Sequence, residues 1–175
     1  GALSVTSLAA RAADDVQLAP AGSAFSLAAG IGWTWLEGNE LVYDDVGNRI
    51  SHLIWETNAP VVTLAAKGEV MNNWTVSASG AVAFSGNSHM EDYDWLDAAP
   101  SYEFDDWSDQ SIHPDTRLDH YFTVDVALGR NFVLNHAATI NLHAGFKYTG
   151  VKWTAYGGSY IYSDAGFRDA LETSS

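Results

Sequence analysis

Five stretches of this chain alternate apolar with small or polar side chains, one for one. A period of two suits the pleated strand, which sends successive side chains to opposite faces. Phe25, Leu27, Ala29, Ile31, Trp33 and Trp35 oppose Ser26, Ala28, Gly30, Gly32 and Thr34. A second segment sets Val62, Leu64, Ala66, Gly68 and Val70 against Val61, Thr63, Ala65, Lys67 and Glu69. A third sets Val76, Ala78, Gly80, Val82 and Phe84 against Thr75, Ser77, Ser79, Ala81 and Ala83. The fourth runs from His120 to Gly129 and the fifth from Ala138 to Tyr148, each with one greasy and one small or polar face. No stretch carries a comparable helical period.

The connections between these segments alternate in length. Met71–Trp74 is tight and Arg130–Ala137 fairly short, whereas 37–49, 85–115 and the tail after Tyr160 are long and acidic. Short turns at one end and long loops at the other are the habit of outer-membrane barrels. A soluble sandwich would carry more Lys and Glu on its polar faces. Trp33, Trp35, Trp74, Phe84, Phe132 and Trp153 gather toward strand ends, as aromatic girdles do at a lipid boundary. The expected fold is therefore all-β, an antiparallel transmembrane β-barrel. An even barrel needs about eight strands or more, so five read as part of something longer. Residues 13–175 are taken as that barrel's N-terminal half. Residues 1–12 end in Ala10-Arg11-Ala12, a small-x-small cleavage pattern, and are read as a signal-peptide remnant left out of the fold.

Net charge decides the class of partner. The 175 residues carry a formal charge of −14 with only eight Lys and Arg, which argues against a nucleic-acid backbone as partner; cationic peptides or metal ions suit the field better. No cysteine is present, which removes thiolate and disulfide chemistry. The charge concentrates between Met90 and Thr116, where Glu91, Asp92, Asp94, Asp97, Glu103, Asp105, Asp106 and Asp109 occur without an intervening Lys or Arg. Tyr93, Trp95, Tyr102, Phe104 and Trp107 in the same stretch argue for order, and it is read as a strongly negative cleft wall.

Asp92 and Asp94 are two apart, so a strand there puts both carboxylates on one face, roughly 6–7 Å apart along the backbone. Such a pair resists double ionisation and can hold a shared proton, the makings of a base that activates water. A solvated loop with scattered acids is the competing reading. His89, Asp92, Asp94 and His113 could instead ligate a metal. Ser111 and His113 permit a serine nucleophile, although side chains two apart on one strand rarely point at each other, which makes Ser111 a hydrogen-bonding helper.

Trp107-Ser108-Asp109-Gln110-Ser111-Ile112-His113-Pro114-Asp115-Thr116 resembles a signature of the omptin family of outer-membrane endopeptidases, with Ser108 in place of a threonine. Ala144-Gly145-Phe146, the run Trp153–Tyr162 and Gly166-Phe167-Arg168-Asp169 resemble a second signature. Gly38, Glu40, Val42-Tyr43 and Gly47–Trp55 are similar to earlier family positions. The likeness covers roughly residues 25–172.

The resemblance implies a ten-stranded barrel whose catalytic cleft faces outside the cell. It implies that Asp92 and Asp94 activate the attacking water, that Ser111 and His113 support them, and that Glu40 and Asp109 hold basic side chains before and after the scissile bond. Basic peptides or proteins and outer-membrane lipid are the implied partners, with no cofactor. Two departures qualify this. The family's second catalytic pair, an Asp-x-His, has no counterpart, so this chain alone is expected to be inactive. The resemblance allows lipopolysaccharide as an activator, but Phe146, Tyr148 and Gly150 stand where the family's lipopolysaccharide contact calls for Tyr, Glu and Arg, which removes a bidentate phosphate contact and weakens that expectation. The contrasting expectation is a non-catalytic surface barrel, an adhesin or structural protein, whose acidic loops bind cationic partners.

Overall fold

The computed structural model describes residues 2–17 and 25–174, with side chains from Phe25 onward. Its strands are β1 (Ala2–Gln17), β2 (Phe25–Tyr43), β3 (Arg49–Met71), β4 (Trp74–Ala83), β5 (Asn87–Asp94), β6 (Asp109–Asn135), β7 (Ala138–Tyr156), β8 (Gly158–Tyr162) and β9 (Ala170–Ser174). All pair antiparallel in one sheet. β4 and β5 both lie between β3 and β6 and form one interrupted barrel strand; β7 and β8 follow one another along β6 in the same way. This is a wall of an antiparallel β-barrel of the outer-membrane type.

The five alternating segments become β2, the later part of β3, β4, the later part of β6 and most of β7. Their greasy faces point outward together. Ile31, Trp33, Val62, Leu64, Val82, Val124, Leu142 and Phe146 are all among the exposed large hydrophobics. Phe25 and Trp35 bound this band on β2, about 33 Å apart along the strand and about 25 Å after a tilt of about 40°, the height of a barrel's apolar belt. On the opposite face Thr75, Asn131 and Asn141 are linked by side-chain hydrogen bonds at 2.8 and 3.0 Å, a small-polar lumen. Above them Leu36, Ala59, Val61, Ala83, Leu118 and Tyr121 pack as a buried apolar plug.

Two expectations change. β3 and β6 run for 23 and 27 residues, far past the alternating segments. Beyond the lipid neither face is uniformly apolar, so the ladder continues with no periodic signal. The backbone of Ala2–Gln17 pairs along β2 from Ala2↔Leu41 to Gln17↔Ala28, so residues 2–12, expected to stay outside the fold, lie along the sheet with the rest of β1.

One irregularity decides where the chemistry points. Val61 pairs with Ala83, yet Asn58 pairs with Asn87, so Phe84–Gly86 contains one residue more than β3 matches. Ser85 takes up this bulge at φ 54°. A single extra residue inverts the alternation. Even-numbered residues face lipid on β4 and turn inward on β5.

Candidate active site

The inversion turns Asp92 and Asp94 onto the inner face, well above the lipid belt. Directly paired residues share a face, and the register draws one row across the wall: Glu40, Leu53, Asp92, Ser111, Tyr160 and Glu172. The next row outward holds Ser51, Asp94 and Asp109. The next row inward holds Gly38, Trp55, Met90 and His113. Neighbouring strands are about 4.8 Å apart, so Glu40 lies about 10 Å to one side of Asp92 and Ser111 adjoins it on the other. All six residues expected at the site lie on this one face.

Burial and like charge act together on the aspartates. Burial first, then the neighbouring Asp94 charge, push the Asp92 carboxyl up to about 6, against the pull of the Ser51 hydroxyl and of His113. Asp94 is also raised, by burial and then by Asp109, with Ser51 again opposing. The Ser51 hydroxyl donates to Asp92 Oδ1 at 3.3 Å. Ser163 N–H donates to Asp109 Oδ1 at 3.3 Å.

Ser111 and His113 do meet, contrary to the sequence expectation: Ser111 Oγ and His113 Nε2 are 3.0 Å apart. A register shift opposite Ser88–Met90 follows His113, and Thr116 Oγ1 donates to the His113 carbonyl at 2.8 Å across it. On its far side the imidazole meets the Tyr160 ring edge-on, centroids 5.5 Å apart. Gly158, at φ +126°, permits this close approach; a Cβ there would stand 2.5 Å from the Ile112 carbonyl and 3.0 Å from His113 Nδ1. The cleft floor is aromatic. Trp55 and Trp153 stack at 5.9 Å, and Trp153 Nε1 donates to Thr57 Oγ1, which also bonds Ser88 Oγ.

The acidic wall is narrower than the sequence suggested. Tyr93 alternates with Asp92 and Asp94 and so faces away from the cleft. Phe104 packs on Tyr93 and near His52, with Arg49 over Trp95, folding the 96–107 loop toward that outer face. Glu91 also faces outward, taking the Tyr93 hydroxyl at 2.6 Å. Asp97, Glu103 and Asp105 are exposed on the loop itself. Ser108 anchors the loop: fully buried, it accepts the Leu96 N–H at 2.9 Å and donates to the Asp94 carbonyl, a hydroxyl's work that threonine could equally do. His89 turns outward to Glu56 at 2.9 Å, so the metal-ligand set considered from sequence is not brought together. Ser51, Tyr160 and the Trp55–Trp153 floor went unassigned from sequence; only the tryptophan-rich second signature hinted at the floor.

An outward apolar belt below, and an inward face of carboxylates, hydroxyl and imidazole above, define a barrel of the outer-membrane type with a polar cleft above the lipid. The chain belongs to the omptin family, whose model matches residues 21–174. It is 30% identical over 151 residues to the plasminogen activator of Yersinia pestis, covering 82% of this chain and 46% of that protein. It is 34% identical over 138 residues to protease 7 of Escherichia coli (strain K12), covering 75% of this chain and 42% of that one. The crystal structure of the outer membrane protease OmpT from Escherichia coli superposes with a TM-score of 0.72 at 27% identity, over 96% of this chain and 54% of that chain. The chain thus spans about half the length of the relatives it matches. Its family is one of outer membrane proteases, and its location is the outer membrane.

Proposed function

We propose that this chain carries part of the active site of an outer-membrane endopeptidase that cleaves beside basic residues, with the cleft open to the cell exterior. The observation that carries the reading is the single inward face shared by Asp92, Asp94, Ser111, His113, Glu40 and Asp109. In this reading the aspartate pair takes a proton from a water molecule. The resulting hydroxide adds to the scissile carbonyl; the tetrahedral intermediate then expels the amine, which leaves with a proton returned from the site. Ser111 and His113 hold that water or the developing oxyanion. An Asp-His pair in the part of the relatives' length that this chain does not match completes the site. Glu40 and Asp109 receive Arg or Lys side chains through charge-assisted hydrogen bonds.

The test uses the whole protein in detergent and a dibasic fluorogenic peptide. Asp92→Asn and Asp94→Asn are expected to lower kcat by about 10²-fold or more, the usual worth of a positioned base. Glu40→Gln is expected to weaken cleavage after Arg while leaving the folded barrel intact by heat-modifiable gel mobility. An untouched peptide, or aspartate variants as fast as the parent, would overturn the proposal in favour of a non-catalytic surface barrel.

A further inference from the structure

We infer that Ser51 is a positioning residue for the aspartate pair; the inference rests on the reading of Asp92 and Asp94 given above. Ser51 is the Cα partner of Asp94, yet its hydroxyl reaches back along the strand to Asp92 Oδ1 at 3.3 Å. It therefore sits against both carboxylates from the β3 side. Among the described residues it is the side chain that donates a hydrogen bond to the pair. Its backbone is held between two strands, paired to β2 at Val42 and to β5 at Asp94.

A hydroxyl there has two effects. It restricts rotation of the Asp92 carboxyl, fixing the direction in which the second oxygen meets a water molecule. It also favours the anion, against burial and against the charges of Asp94 on the same strand and Glu40 on β2, while Asp109 on β6 raises Asp94 in turn. His113, also on β6, is the cation-capable group facing it and acts in the same sense as Ser51. The carboxylates crowd one another, and Ser51 is the neutral donor that keeps one of them ionised near neutral pH.

The experiment follows kcat and KM of the whole protein against pH, on a peptide with one basic residue, for the parent, Ser51→Ala, Ser51→Thr and Asp92→Asn. Ser51→Ala should shift the acid limb of kcat upward by about half to one pH unit and lower kcat about tenfold, with KM little changed. Ser51→Thr should restore the limb. Ser51→Cys, with a weak donor of similar size, should fall between and serves if the alanine variant folds poorly. An unmoved acid limb in folded Ala and Cys variants, or a loss equal at every pH that threonine does not rescue, would overturn the assignment. Full activity of Asp92→Asn would instead sink the protease reading itself, so the two failures are distinguishable.

Discussion

Gly38 offers a measurable test of how firmly the cleft floor is built. A Cβ added there would stand 3.0 Å from Trp153 Cη2 and 3.1 Å from Cζ3, so the ring would have to retreat by roughly 0.4 Å to ordinary contact. It has little freedom to do so. Its plane is stacked on Trp55 at 5.9 Å and 18°, and its Nε1–H is committed to Thr57 Oγ1, itself bonded to Ser88 Oγ at 2.8 Å. Yielding would cost part of an aromatic contact and part of a buried hydrogen bond, each about 1 kcal/mol, so Gly38→Ala should destabilise by about 2 kcal/mol. Trp153→Phe removes the clashing atoms at its own cost. In that background Gly38→Ala should cost under about 0.5 kcal/mol, leaving a coupling of about 1.5 kcal/mol. Equilibrium urea unfolding of the whole protein in lipid, followed by far-UV circular dichroism, measures all four corners of the cycle. A coupling within about 0.3 kcal/mol of zero would refute the argument that these two positions share one rigid contact.

The remaining predictions concern protons and the acidic loop. Because the folded Asp92 carboxyl, at about 6, lies above its ordinary 3.8, the stability it contributes is complete below about pH 3.8 and is lost as pH rises through about 6; on the proposed mechanism, which uses the anion, activity should rise over that interval. Unfolding midpoints and kcat measured together from about pH 4 to 8 should therefore move in opposite directions, and Asp92→Asn should flatten its part of the stability curve; parallel curves would contradict this. Ser108→Ala leaves the Leu96 N–H without its partner and should cost about 1–3 kcal/mol, with faster proteolytic nicking of the 96–107 loop, whereas Ser108→Thr should behave as the parent. Nicking that is equally slow in Ser108→Ala would show that the aromatic contacts of Phe104 hold the loop alone.

Inside the lipid belt the sequence was legible residue by residue. Water is absent there, so Ile31, Val62, Val82 and Phe146 must face outward, and simple alternation finds them. Above the belt that constraint lapses. The 49–60 part of β3 and the 109–119 part of β6 carry polar and apolar residues on both faces, and no period marks them. The candidate site residues were singled out through their signatures, but the direction they face was not. Val76 to Phe84 continued by parity would send Asp92 and Asp94 toward lipid. The one local cue was Ser85-Gly86-Asn87 inside an otherwise strand-like run, a bulge signal by composition. The acidic stretch misled in the opposite sense: proximity in sequence suggested one wall, while the contacts of Phe104 with Tyr93 and His52 draw the loop away from the cleft.

The extra residue at Phe84–Gly86 means that the face these carboxylates occupy depends on counting as well as on composition. Shortening that segment by one would leave every acid in place, yet Met90, Asp92 and Asp94 would exchange sides with Glu91 and Tyr93. The gene would still spell a complete motif, and the folded wall would present a phenol to the inner face. A relative with intact signatures and a one-residue indel in this hinge would therefore be a barrel with its working groups facing the wrong way.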